Sequence, residues 1–334
     1  MPQFVSRTRF DLAMAGVLAD YLAAFCGLYL AGGGTPETAV IRGFGSLAFL
    51  MLSFTLCIGP LARFSPRFQN LIYNRRHLGV TTFFVGLVHA ALSLAQFFEG
   101  DLLGVFTTNT AYGDPARFPF APFGVLALVI LAAMAATSHD SWFRRLGVRH
   151  WKSLHMLVYA AYASLVVHVS FGFLQQEGSV LLWSAFVAVV ATVFGLQIVA
   201  GLRERVRDGQ ASPREVDGYV YACELASIPE GGARSIPLGA ERVAVVKHQG
   251  RAYALTNVCK HQNGPLGEGR VCDGFLECPW HGYQFSPVTG KGPPPYEDAV
   301  HVYAVRTEGG RVFVNPQPFY WNDRNPSANA GAPA

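Results

Sequence analysis

Six apolar stretches, at about 12–31, 43–62, 78–98, 121–138, 154–174 and 179–200, dominate the first two hundred residues. Each is close to the ~20 residues a helix needs to cross a bilayer, so the pattern predicts six spanning helices. The first run is too long for a signal peptide and lacks a small-residue cleavage site, so it reads as a retained helix. Residues 201–218, GLRERVRDGQASPREVDG, are polar and contain Gly and Pro; they predict a short helical extension and then a linker. From Tyr219 the pattern changes again. GYVYACEL, ERVAVVKHQ, RAYALTNV, GFLECPW and RVFVNP are short, rich in β-branched and aromatic residues, and separated by Gly, Pro and Asn. That predicts a small all-β domain. The expected organisation is an all-α six-helix membrane bundle over 1–204, a linker over 205–218, the all-β domain over 219–315 and a disordered tail over 316–334. No internal repeat is evident.

Composition agrees. The 334 residues are 51% hydrophobic and 14% charged, against about 25% charged in ordinary soluble proteins. The net charge of +4 comes without a basic run interleaved with aromatics, so no nucleic-acid partner is expected. The placement of charge is more informative. Arg7 and Arg9, then Arg63, Arg67, Arg75 and Arg76, then Arg144, Arg145, Arg149 and Lys152, and finally Arg203, Arg205 and Arg207 fall on one side of the predicted spans. The opposite loops hold Glu37, Glu99, Asp101, Asp114 and Glu177, with only Arg42 and Arg117 as bases. The positive-inside rule puts both termini in the cytoplasm, which suggests a bacterial inner-membrane protein.

Candidate chemistry lies in the all-β part. Cys259 and His261 form C-x-H; after 16 residues Cys278 and His281 form C-x-x-H. This is metal-ligand spacing rather than a disulfide framework. A Cys₂His₂ zinc site is one reading. Zinc fingers pair Cys with Cys and His with His, however, whereas each half here contributes one of each. The flanks HQNGPLGEG and PWHGYQF suit two loops closing over a cluster. A Rieske [2Fe–2S] centre uses two Cys on one iron and two His on the other, and one Cys and one His from each loop supply that set.

Residues 219–315 resemble the Rieske ferredoxin family: CKHQNGPL and CPWHGYQF match it in order and spacing. The resemblance makes Cys259, His261, Cys278 and His281 the cluster ligands. Rieske proteins of the cytochrome bc type carry a disulfide between positions that are Gly264 and Trp280 here, so that bridge is impossible, in keeping with a reducing cytoplasm. Those proteins also place Ser and Tyr hydroxyls where Tyr283 and Phe285 stand. Phe285 cannot donate a hydrogen bond, so a potential at the low end of the Rieske range is expected. Cys223 and Cys272 read as buried structural thiols.

Three histidines, His89, His155 and His168, fall within the spans, where ionisable groups are costly. One alone could be an interhelical hydrogen-bonding residue; three in two spans, beside a redox motif, point to haem ligation. RRHLGVTTFFVGLVHA (75–90) and WKSLHMLVYAAYASLVVH (151–168) resemble the ferric-reductase-like transmembrane family over about 40–172. The family includes ferric reductases, NADPH oxidases and the haem subunit of the bacterial methionine sulfoxide reductase system, and it implies b-type haem held between helices by paired histidines. At 1.5 Å per residue His89 lies ~19 Å into its span, His168 ~25 Å and His155 ~6 Å. His89 therefore pairs with His168. His155 would need another ligand for a second haem, and His77, at similar depth, is the candidate. His77 and His89 are ~120° apart around a straight helix and His155 and His168 ~140°; the two-haem oxidases space theirs by 13 or 14 residues. His77 as an interfacial residue stays open. Asp20, in mid-span, needs a partner or a proton path.

No flavin or nicotinamide domain is expected within these residues, since no G-x-G-x-x-G stands after a strand. The expected function is a membrane-bound electron-transfer oxidoreductase. A soluble cytoplasmic reductase or ferredoxin would reduce the cluster, and electrons would pass to haem and on to a quinone, a metal ion or a periplasmic partner. Two alternatives remain. Quinol-reduced haem could feed a cytoplasmic oxygenase through the cluster, or the spans could be a haem-free anchor for a Rieske ferredoxin or redox sensor.

Overall fold

The computed structural model describes residues 7–65, 68–107, 119–174, 179–210, 215–239, 241–260, 264–280, 282–295 and 298–321. His261, His281 and the tail from 322 lie outside the described residues. The chain forms two compact units. One takes its described residues from Gln3–Leu61 and Asn74–Gln197, the other from Ala62–Tyr73 and Ile198–Ala334.

The first unit is helical. The helices are α1 (Arg7–Ala31), α2 (Pro36–Phe64), α3 (Gln69–Phe97), the short α4 (Gly104–Thr107), α5 (Ala121–Ala136), α6 (Asp140–Met156), α7 (Val158–Val169) and α8 (Val180–Gln210), with a π-turn at Ser170–Leu174; the end of α2 from Ala62, the start of α3 to Tyr73 and the end of α8 from Ile198 belong to the second unit. Among the described residues, five stretches are long and apolar enough to cross a membrane: Phe10–Ala31, Pro36–Phe64, Asn74–Phe97, His150–Leu174 and Val180–Val206. The fourth expected span is a shorter apolar helix of 16 residues, Ala121–Ala136.

α2 is the central helix. Its Phe49, Leu52 and Leu56 pack with Ala127 and Leu131 of α5, Ala161 and Tyr162 of α7, and Val193 of α8. Phe49 stacks on Tyr162 at 5.6 Å between ring centres. The Ser53 and Tyr162 hydroxyls, both buried, satisfy each other at 3.0 Å, as groups away from water must. α1 exposes Leu12, Val17 and Leu28. In water such an array would invite association; in a bilayer it matches the solvent.

The second unit is mainly β. An antiparallel sheet runs in the order β1 (Glu215–Val216), β2 (Tyr219–Glu224), β10 (Arg311–Phe319), β9 (Val302–Glu308), β5 (Arg251–Thr256), β4 (Glu241–His248), β3 (Ala233–Leu238). A three-stranded sheet joins β6 (Arg270–Cys272), β7 (Phe275–Glu277) and β8 (Gln284–Phe285). Alternation along β4 sends Val243 and Val245 to one buried cluster and Ala244 and Val246 to the other. Successive strand residues point to opposite faces, so β4 is covered on both sides and reads as an unbroken apolar run. The second cluster contains Leu255, Leu276, Phe285, Cys259 and Cys278.

Two ion pairs within this unit tie helix ends to strands and turns. Arg63, in the last turn of α2, lies 3.3 Å from Glu268. Glu204, on α8, lies 2.6 Å from Arg242 of β4, whose Nε donates to the Ser235 hydroxyl.

Candidate functional site

The two cysteine loops follow β5 of the larger sheet and β7 of the smaller one. After β5 the chain turns through Cys259, whose N–H donates to the Gly264 carbonyl at 3.0 Å. Asn257 pins the far end of this loop: its carbonyl accepts from Leu266 N–H and its side-chain oxygen from Gly267 N–H. Between β7 and β8, Cys278 N–H donates to the Tyr283 carbonyl at 2.7 Å, and its own carbonyl accepts from Gly282 N–H at 2.9 Å. Both cysteines are buried, at 1% and 2% exposure, in one apolar cluster.

The loops meet at Gly264. A Cβ there would stand 2.6 Å from Cys278 Sγ and 3.0 Å from the Trp280 ring. Gly264 and Trp280 thus face each other across the gap. The Tyr283 hydroxyl donates to the Asp298 carboxylate, and Phe285, fully buried, supplies no donor. Two buried thiols on opposed loops fit the sulfur half of a [2Fe–2S] cluster; the histidine half lies outside the described residues.

Of the other thiols, Cys223 is buried, and burial pushes its pKa up to about 11. Burial also raises that of Cys272, which is half-buried. Neither is disposed to react as a thiolate.

In the helical unit, His89 of α3 and His168 of α7 come together, with ring centres 6.2 Å apart and planes crossing at 79°. Each ring is held the same way. His89 Nδ1 lies 2.9 Å from the Ile41 carbonyl, and His168 Nδ1 lies 3.0 Å from the Phe120 carbonyl. A carbonyl only accepts, so both Nδ1 atoms carry the proton, and in the neutral rings both Nε2 atoms keep a lone pair. That is the state of a metal-ligating histidine with an outer hydrogen-bond partner. A ring nitrogen binds a metal at about 2 Å, so ring centres 6.2 Å apart fit a haem that His89 and His168 would both hold.

The other two histidines have different neighbours. His77 Nδ1 is 3.6 Å from the Asp11 carboxylate of α1. His155 Nε2 is 3.4 Å from the Thr137 hydroxyl, and its ring stacks on Trp151 at 4.0 Å. Asp20 lies on the exposed side of α1. The motifs did not reveal Arg42, whose guanidinium sits 5.4 Å from the Tyr29 ring centre and 4.7 Å from that of Phe173. Nor did they reveal the two carbonyls that orient the histidines, because backbone atoms leave no residue signature.

A membrane bundle with an oriented histidine pair, followed by a β domain with opposed buried cysteines, defines a membrane-embedded redox protein. Residues 44–166 match the ferric reductase like transmembrane component, and residues 218–304 match the Rieske [2Fe-2S] domain. The helical part is 32% identical to the protein-methionine-sulfoxide reductase heme-binding subunit MsrQ of Azospira oryzae, over 51% of this chain and 70% of that protein. The C-terminal part is 35% identical to the ferredoxin component of the alkene monooxygenase system of Xanthobacter autotrophicus, over 30% of this chain and 83% of that protein. Among solved structures, the Sphingomonas yanoikuyae B1 ferredoxin matches with 28% identity and a TM-score of 0.28, over 30% of this chain and 99% of that one. The chain belongs to the ferric-reductase-like transmembrane family, with MsrQ subunits among its homologues, and carries a Rieske domain at its C-terminal end.

Proposed function

We propose that this protein passes electrons from a soluble cytoplasmic donor, through a Rieske cluster on Cys259, His261, Cys278 and His281, to one b-type haem on His89 and His168. From there they leave to a quinone, a metal ion or a periplasmic partner. The observation that carries the proposal is the His89–His168 pair, 6.2 Å apart with both Nδ1 atoms bonded to carbonyls. The heme-binding name of the MsrQ relatives supports it. Haem and cluster supply the one-electron chemistry when bound.

The chain's own work is to orient and to exclude water. Ile41 and Phe120 hold the imidazoles in the Nδ1–H tautomer. The apolar cluster of Leu255, Leu266, Leu276 and Phe285 keeps solvent from the two thiolates, which tunes potential as well as stability. The proposal includes six crossings with both termini in the cytoplasm, the basic loops lying on that side.

The test is haem and iron–sulfur content of the detergent-purified protein, by reduced-minus-oxidised absorbance and electron paramagnetic resonance. Wild type should show b-type haem and a Rieske signal. His89→Ala and His168→Ala should each lose the haem and keep the cluster. A full cluster without haem in wild type would sink the proposal and leave a membrane-anchored ferredoxin.

A second reading reverses the flow, with quinol-reduced haem feeding a cytoplasmic oxygenase. It is favoured by the likeness of the C-terminal part to ferredoxin components of oxygenase systems. A haem potential well below that of the cluster would select it.

A further inference from the structure

The two histidines sit in two copies of one arrangement. Ile41 and Gly45 are four residues apart on α2, and His89 reaches them from α3. Phe120 and Gly124 are four residues apart at the start of α5, and His168 reaches them from α7. In both copies the carbonyl and the histidine it holds are 48 residues apart. In both, the glycine lies against the imidazole. A Cβ on Gly45 would come 2.8 Å from His89 Cε1 and 2.9 Å from its Nδ1; one on Gly124 would come 2.8 Å from both atoms of His168. Side chains do not pack that closely.

The reason lies in helix geometry. Each Cα–Cβ bond tilts toward the helix N-terminus, so a side chain at i+4 covers the flank of the carbonyl at i. Glycine at i+4 leaves that carbonyl open to a second donor beyond its helical one. Gly79 of α3 and Gly195 of α8 have no such role: a Cβ on either would meet nothing within 4 Å.

We infer that Gly45 and Gly124 are positioning residues for the haem ligands: each opens one carbonyl so that it can hold one imidazole in the Nδ1–H state, with Nε2 left for iron. This rests on the haem reading above. A hydrogen bond from Nδ1–H raises the ligand's basicity, and a more basic ligand favours ferric iron. Losing the bond on either side should therefore move the haem potential upward.

The test compares Gly45→Ala, Gly124→Ala and the control Gly79→Ala, each as purified full-length protein. The readouts are haem midpoint potential, low-spin haem g-values and the Rieske signal. Gly45→Ala and Gly124→Ala should each raise the potential and shift the g-values, or lose the haem, with the cluster signal intact; Gly79→Ala should match wild type. Wild-type potential and g-values in both cradle variants would overturn the inference while leaving the haem assignment standing. Haem-free wild type with a full Rieske signal would overturn the assignment and the inference together. A variant that fails to fold does not block the test, because electron–nuclear double resonance on wild type reads the Nδ1 protons directly. Two hydrogen-bonded Nδ1 protons, one per ligand, are expected; their absence would overturn the inference without any mutation.

Discussion

At Gly264 a single hydrogen atom in place of a methyl group decides whether two loops can close. With a Cβ 2.6 Å from Cys278 Sγ and 3.0 Å from Trp280, Gly264→Ala must displace the thiolate or the indole. Overpacking of this kind costs about 1–3 kcal/mol. The variant should bind less iron and melt at lower temperature, yet keep its haem; a full Rieske signal at the wild-type melting temperature would refute this. Phe285→Tyr works in the other direction, because it places a hydroxyl in the fully buried shell around the same cysteines. A donor to cluster sulfur raises the potential, so redox titration should give a higher value than wild type, and an unchanged one counts against it. The cysteine pair was legible because its spacing is local, with C-x-H and C-x-x-H each inside one loop. The glycines of the histidine cradle were not, because their partners lie far along the chain and glycine has many other uses in helices. The recurrence of the same separation around His89 and His168 was present in the sequence, but it takes the contact to show which residues to compare.

Elements carry a second kind of information. The span expected at 154–174 divides at Leu157, between α6 and α7, where the Leu157 N–H bonds to the Leu154 carbonyl three residues back. A tighter turn adds rotation, so His155 and His168 do not keep the azimuth of a straight helix. Neither Pro nor Gly marks the break, which is why the apolar pattern read through it. Strands β4 and β5 were plain by contrast, since residues buried on both faces form short apolar runs. The turn Leu266–Glu268 follows the first cysteine loop. Burial raises the Glu268 pKa above its ordinary 4.5, and Arg63 opposes the rise. An acid whose folded pKa is raised binds its proton more tightly when folded, so stability falls as pH rises from 4.5 through the folded value. Glu268→Gln should flatten that part of the profile. Arg63→Ala should steepen it, by removing the opposing charge. Both effects should stay within about 1 kcal/mol, because Arg63 keeps 44% of its side-chain surface. Thermal unfolding of the three proteins across the mildly acidic range checks the order, and a wild-type profile in Glu268→Gln would dismiss it.

At the scale of the whole molecule, the disposition of the chain turns on α5. Its 16 residues reach ~24 Å against a hydrocarbon core of about 30 Å, a mismatch a bilayer absorbs by local thinning. The histidine pair fixes its level. His89 touches Ile41, His168 touches Phe120, and the two rings are neighbours, so the start of α5 lies level with the early turns of α2. α5 then runs on past Ala127 and Leu131, which pack against α2. A helix that begins at the depth of α2 and packs along it is expected to cross as α2 does. With α5 crossing, the six spans return the chain to the side where it began. Without it, five crossings would put the two termini on opposite sides. Cysteines placed at Asp101, before α5, and at Ser138, just after it, separate these cases in a background lacking Cys26, Cys57, Cys223 and Cys272, with that background, which keeps Cys259 and Cys278, as the labelling control. An impermeant maleimide on intact cells should label the Asp101→Cys protein and should reach Ser138→Cys only after permeabilisation. Labelling of both from outside would mean that α5 lies along the membrane. The C-terminal Rieske domain would then lie on the opposite side from the N-terminus, contrary to the charge pattern of the loops.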